Sequence, residues 1–93
     1  MFTTNTYFDG KVVSIAFESE EGPATAGVMA VGEYAFGTAG REIMKVTSGR
    51  LMVRLPGAEG YTAYEAGAVF EVPGDSRFEV QVPVETAYLC WYK

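Results

Sequence analysis

The sequence contains no histidine and only one cysteine, Cys90. Without histidine, the chain can build neither a Ser-His-Asp nor a Cys-His nucleophile system, nor a His-rich zinc or iron site. Its chemistry must therefore use carboxylates, hydroxyls, amides, Tyr, Lys, Arg or backbone N–H groups. Cys90 has no partner for an internal disulfide, which fits a reducing cytoplasm, and its large apolar neighbours in TAYLCWYK indicate a core residue.

Basic residues and long apolar runs are also few. The chain has 7 Lys and Arg against 12 Asp and Glu, a formal net charge of −5 at pH 7. Nucleic-acid-binding proteins present basic stripes, so nucleic acid is not expected as a partner. The apolar runs are too short to span a membrane, and the start of the sequence lacks the basic and apolar regions of a signal peptide. We expect a soluble, cytoplasmic protein without a membrane partner.

The residues that are present predict one all-β domain over residues 1–93. Apolar residues make up 48% of the chain, enough for a core, and so short a chain leaves apolar surface that favours a homodimer. Short segments rich in β-branched and aromatic residues alternate with Gly- and Pro-containing turns, and no window keeps a helical period. We expect eight or nine strands and little or no helix, in a closed barrel or a two-sheet sandwich. The acidic stretch ESEEGPAT is expected to be a loop.

The spacing of four residues is more specific than the composition. Six residues separate Glu42 from Gly49, seventeen separate Gly49 from Gly67, and five separate Gly67 from Pro73. This spacing resembles the two sequence motifs of the cupin superfamily. The resemblance implies a cupin-type, jelly-roll-like β-barrel.

The residues that bind the metal in cupins are mostly replaced in this chain. The motif histidines fall on Phe36, Thr38 and Phe78, and the motif glutamate falls on Glu42. Because cupin ligands point into the barrel, the resemblance implies that these four side chains line one cavity and that no metal is bound. Strand alternation puts Met44 on the same face as Glu42.

Over nearly its whole length the chain resembles the small single-domain pyrimidine/purine nucleoside phosphorylases. The resemblance is carried by the stretches YFDGKVVSI, GVMAVGEYAFGTAGREIMKVTSG, YEAGAVFEVPGDSRFEVQV and YLCWYK. It implies a homodimeric glycosyltransferase (pentosyltransferase) of nucleoside salvage. Such an enzyme cleaves purine and pyrimidine nucleosides with inorganic phosphate into free base and ribose 1-phosphate, with broad base specificity and no cofactor.

This reaction suggests roles for the cavity residues. Glu42, the catalytic candidate, can hydrogen-bond ribose hydroxyls and offset positive charge near the anomeric carbon without changing its protonation. Phe36 and Phe78 can stack on a base without recognising its edge, and Thr38 and Met44 complete the substrate pocket. The alternatives are that the two phenylalanines only fill the barrel and that Glu42 is a rim residue paired with a basic neighbour.

Two turns next to these positions are candidates for phosphate binding. GTAGR supplies Arg41 and free N–H groups, and PGDSR supplies Ser76 and Arg77. Alternatively, both arginines are ordinary surface charges. Strand alternation leaves the direction of five more polar or aromatic side chains open: Glu33, Tyr34, Gln81, Tyr88 and Tyr92.

Two functions other than catalysis also fit the sequence. One is a non-catalytic cupin that has lost its metal site and binds a small ligand. The other is an interaction protein that uses an exposed sheet face and has no enclosed cavity at Phe36, Glu42 and Phe78.

Overall fold

The computed structural model describes residues 1–93 and contains ten strands and no helix, so the all-β prediction is confirmed. It therefore has no helix long and apolar enough to cross a membrane. The strands are β1 (Thr3–Tyr7), β2 (Val12–Ser19), β3 (Gly22–Met29), β4 (Gly32–Thr38), β5 (Glu42–Ser48), β6 (Arg50–Arg54), β7 (Thr62–Glu65), β8 (Val69–Val72), β9 (Ser76–Val82) and β10 (Thr86–Tyr92).

The strands form two antiparallel sheets. Sheet A has the order β1-β2-β3-β10-β5-β8, and sheet B has the order β4-β9-β6-β7. No strand pairing joins the two sheets into a closed barrel, so the structure shows the sandwich form of a cupin-type fold. The core lies between the sheets and draws on both, with Val12 and Val46 from sheet A and Leu51 and Val80 from sheet B.

Two local predictions were wrong. Strand β1 was not expected, so the chain has ten strands where eight or nine were predicted. Its sequence TTNTY lacks apolar alternation, and the strand forms as the exposed edge partner of β2. The stretch ESEEGPAT is not a loop, since Ser19 pairs with Gly22 and leaves only Glu20 and Glu21 in a tight hairpin turn. Pro23 is accepted inside β3 because the pairing of β3 with β10 ends at Ala24, so its missing N–H breaks no bond to β10.

The structure gives a physical reason for the glycine at position 49. Gly49 has a φ of 92°, and a Cβ there would lie 2.5 Å from the Thr86 hydroxyl oxygen. That hydroxyl accepts a hydrogen bond from the Arg50 N–H at 3.1 Å and lies 2.7 Å from the Val84 carbonyl oxygen, to which it donates. The close approach fixes the turn between β5 and β6 against β10, and it fixes the position of β5 in the sheet.

Candidate active site

A cavity of about 360 Å³ lies between the two sheets, at the end of the sandwich where β1 turns into β2. Its walls come from both sheets and are mostly apolar. The lining residues are Tyr7, Phe8, Ser14, Met29, Ala35, Phe36, Gly37, Glu42, Met44, Phe78, Tyr88, Cys90 and Tyr92. Four of the five predicted catalytic and substrate-binding residues, namely Phe36, Glu42, Met44 and Phe78, therefore line one cavity.

Glu42 is the only charged side chain in this lining. It begins β5 and pairs with Tyr92 of β10, so its side chain lies on the same face of sheet A as Tyr92 and Cys90. The Cys90 thiol donates a hydrogen bond to Glu42 Oε1 at 3.5 Å. None of the three ion pairs in the structure involves Glu42, so it is not a rim residue paired with a basic neighbour.

The surroundings of Glu42 disfavour its charged form. Burial raises the pKa of the Glu42 carboxyl, and the hydrogen bond from Cys90 acts in the opposite direction with a smaller effect. Burial, together with the nearby Glu42 charge, raises the pKa of the Cys90 thiol to about 12. Cys90 is therefore a thiol at neutral pH, as its expected core position and lack of an activating base also indicate.

Two tyrosines on β10 supply further polar groups on the Glu42 side of the cavity. Burial raises the pKa of Tyr88 to about 12, and burial also raises the pKa of Tyr92. Both phenols are therefore protonated at neutral pH and can donate hydrogen bonds. The Tyr92 hydroxyl lies 3.1 Å from the Thr25 hydroxyl. Both tyrosines lie on the same side of β10 as Cys90, in line with the regular alternation of that strand.

The opposite wall of the cavity is aromatic. Phe36 of β4 and Phe78 of β9 are direct cross-strand partners, and their rings are stacked with centroids 5.5 Å apart. Phe8 meets Phe36 edge to face at 5.5 Å. Phe78 is only 2% exposed and also contacts Phe70 in the core, so this side chain both fills the sandwich and forms the cavity wall.

Thr38 does not line the cavity, contrary to prediction. It lies two residues beyond Phe36 on β4, where the turn before β9 closes over the strand. Its hydroxyl donates to the Pro73 carbonyl oxygen at 2.7 Å and accepts from the Ser76 N–H at 3.1 Å. The Thr38 side chain therefore connects the two turns predicted to bind phosphate.

The three predicted phosphate-binding residues lie outside the lining. Arg41 forms an ion pair with Glu71 at 3.3 Å, with both side chains about half exposed. The Ser76 hydroxyl donates to the Gly74 carbonyl oxygen at 3.0 Å, and Arg77 is exposed. The turns themselves are in contact, since the Asp75 N–H donates to the Ala39 carbonyl oxygen at 3.0 Å. Their role in phosphate binding stays a prediction.

Several lining residues were missed in the sequence. Tyr7 and Phe8 belong to the unpredicted hairpin of β1, while Ser14 and Met29 lie on the inner side of β2 and β3, outside both cupin motifs. Alternation within β2 was the one signal that pointed to Ser14.

The other three side chains whose direction was left open, those of Glu33, Tyr34 and Gln81, do not line the cavity. Tyr34 is buried in the core, where its hydroxyl donates to the Ala30 carbonyl oxygen at 2.8 Å. Glu33 and Gln81 are partners on neighbouring strands and alternate with buried residues, so they face outward. No group of three or more His, Cys, Asp or Glu side chains is placed to hold a metal ion.

The structure and sequence have clear relatives among known proteins. An RmlC-like cupin from Shewanella frigidimarina superposes with a TM-score of 0.76 at 16% identity, over 97% of this chain and 81% of that one, which shows the cupin-like fold. A protein of unknown function from Vibrio parahaemolyticus is closer, with a TM-score of 0.93 and 43% identity over 97% of this chain and 96% of that one.

The sequence comparisons define the family. The family model described as "Pyrimidine/purine nucleoside phosphorylase" matches residues 2–92. A protein of Pseudomonas entomophila with that same name is 61% identical over 100% of this chain and 99% of its own length. The chain therefore belongs to the pyrimidine/purine nucleoside phosphorylase family.

Replacing Glu42 by Gln is expected to stabilise the protein at neutral pH. Folding raises the pKa of Glu42, so the folded state holds the carboxyl proton more tightly than the unfolded chain does. The free energy of unfolding therefore falls as the pH rises above about 4.3, the ordinary pKa of a glutamate. The melting temperature of Glu42→Gln should exceed that of the wild type on the order of a few degrees at neutral pH, and the gap should close near pH 4. Glu59→Gln, at an exposed position, is the control. A gap that persists at low pH contradicts a protonation effect.

Proposed function

We propose that this protein is a nucleoside phosphorylase that cleaves purine and pyrimidine nucleosides with inorganic phosphate, without a metal. Membership of the family supports the reaction class. The aromatic cavity, with Glu42 as its only charged group, is the observation that supports placing the reaction there. The reaction is a pentosyl transfer to phosphate. A cytoplasmic role in nucleoside salvage is part of the proposal.

In the proposed reaction a phosphate oxygen forms a bond to C1′ of the ribose and the glycosidic C–N bond breaks. The departing base takes the electron pair and then a proton from solvent. As the C–N bond lengthens, positive charge grows on the sugar, and the Glu42 carboxylate is placed to offset it. The low polarity of the lining strengthens this effect because little solvent screens the charge.

The cavity has groups suited to each part of a nucleoside. Phe36 forms an apolar wall against which the flat face of either kind of base can stack, which suits broad specificity. Glu42 accepts hydrogen bonds from ribose hydroxyls, and the protonated Tyr88 and Tyr92 donate to sugar or phosphate oxygens. Met44 completes the apolar floor.

Phosphate is proposed to enter from the two turns that follow β4 and precede β9. No Lys or Arg lines the cavity, so the charge of the anion must be met at its edge. Arg41 directly precedes Glu42, and Arg77 directly precedes Phe78 near the start of β9. The Arg77 side chain leaves the outer face of β9, so in this proposal it reaches the anion around the end of the strand. Ser76 pairs with Thr38 across the same two strands and is the third proposed contact.

Purified protein incubated with uridine or adenosine should release free base and ribose 1-phosphate only when phosphate is added. Glu42→Gln should lower kcat about a hundredfold or more, since it removes the one carboxylate in the cavity while keeping its shape. Glu59→Gln should retain full activity. Saturable nucleoside binding without phosphate-dependent cleavage would instead favour the non-catalytic ligand-binding alternative.

Arg77→Ala is expected to raise the KM for phosphate about tenfold or more, because an exposed arginine with no carboxylate partner is free to contact the anion. The KM for uridine should change little. Arg50→Ala removes an exposed arginine that pairs with Glu65, away from the cavity, and is the control. An unchanged phosphate KM in Arg77→Ala would remove this residue from the proposed site.

We also propose that the protein is a homodimer that buries the outer face of sheet A. That face carries exposed apolar side chains on neighbouring strands, including Val13, Ile15 and Val28, which are 38%, 44% and 52% exposed. In a two-layer sandwich the outer side of a sheet is normally polar. Six strands of up to eight residues give a footprint of roughly 25 by 25 Å, comparable to the patch of about 800 Å² per partner in a stable interface.

Val28→Lys should convert the dimer into a monomer, because each protomer would bury the charge of a lysine at the interface. Sedimentation equilibrium is expected to give twice the chain mass of 10.1 kDa for the wild type and a single chain for the variant. Val84→Lys changes a valine exposed to a similar degree in a turn and should remain dimeric. A monomeric wild type contradicts this interface.

A further inference from the structure

The turn between β1 and β2 has an unusual backbone. Phe8, Asp9 and Gly10 have φ angles of 53°, 57° and 85°, so three consecutive residues are in the left-handed region. Apart from Phe8 and Asp9, only Asp75 among the non-glycine residues has a positive φ. A bulky aromatic residue rarely adopts this conformation, and such strain clusters at functional sites.

The turn is held in place by its own hydrogen bonds and by its aromatic ring. The Gly10 N–H donates to the Tyr7 carbonyl oxygen, and the Lys11 N–H donates to the Phe8 carbonyl oxygen, both at 3.2 Å. The Phe8 ring packs on Tyr34 at 4.9 Å and on Phe36 at 5.5 Å.

These contacts carry the Phe8 ring from one sheet to the other. Phe8 follows β1, at the edge of sheet A, whereas Tyr34 and Phe36 belong to β4, at the edge of sheet B. The ring therefore bridges the two sheets at the cavity. Phe8 is 43% exposed as a residue and lines the cavity, so it is accessible to a ligand there.

We propose that Phe8 is a substrate-binding residue that stacks on the nucleobase and covers the mouth of the cavity. This inference rests on the proposed function and adds a base contact outside the cupin motifs. The ligand class is a planar heteroaromatic base, because the exposed part of Phe8 and the edge-to-face ring of Phe36 form an apolar corner with no charged group. Packing alone does not require a strained residue with so much of its surface exposed.

The test compares two glycine substitutions in the same turn. Phe8→Gly removes the ring and accommodates the positive φ, whereas Asp9→Gly accommodates a similar φ and keeps the ring. Phe8→Gly should raise the KM for adenosine about tenfold or more, and the KM for uridine less, because the larger purine stacks over more area. The kcat and the KM for phosphate should stay within about twofold of the wild type. Asp9→Gly should match the wild type, and Phe8→Trp should restore the adenosine KM.

A purely structural role for Phe8 predicts a different pattern. If the role were purely structural, Phe8→Gly would change kcat and the KM values of both nucleosides and of phosphate together. That outcome overturns the proposal, and so does an unchanged KM for adenosine. Adenosine binding is measured in parallel by titration calorimetry, with no phosphate present. If the wild type binds adenosine but does not cleave it, only the proposed function is contradicted. In that case, weaker adenosine binding by Phe8→Gly still supports the contact between Phe8 and the base. A wild type that neither binds nor cleaves adenosine overturns both.

Discussion

Glu42 lies in a cavity lining without a second charged side chain, and no arginine or lysine of the chain forms an ion pair with it. Desolvation of a carboxylate is unfavourable, and here a single thiol hydrogen bond from Cys90 offsets part of that cost. The sandwich tolerates this arrangement because its remaining core is well packed and apolar. A group kept in an unfavourable place by the rest of the fold is typical of functional sites.

The aromatic residues explain how the fold keeps a cavity open. Rings form a continuous series of contacts from Tyr64 through Phe70 and Phe78 to Phe36, filling the space between the sheets. At the end of this series Phe8 closes over Phe36, and beyond it lie the polar groups around Glu42. The cavity thus has an aromatic side and a polar side, which matches a base joined to a sugar.

Much of the site could be predicted, because the cupin spacing fixes strand positions. Phe36, Glu42 and Phe78 were placed by motif and Met44 by alternation, and all four line the cavity. The motif assignment failed for one residue. Thr38 has the inward position, but the turn at Pro73 covers it and takes its hydrogen bond.

The residues that could not be predicted depend on features with no sequence period. Phe8 reaches the cavity only through a left-handed turn next to a strand without apolar alternation. The open sandwich, in place of a closed barrel, depends on hydrogen bonding between distant strands, which composition does not specify.

A crystal structure of the Glu42→Gln variant with uridine and phosphate tests most directly whether this cavity is the site of nucleoside cleavage. We expect the ribose hydroxyls within hydrogen-bond distance of the side chain at position 42, and the base against Phe36. Uridine bound instead in the open groove beside β1, lined by residues such as Asn5, Phe17 and Glu18, would contradict the account.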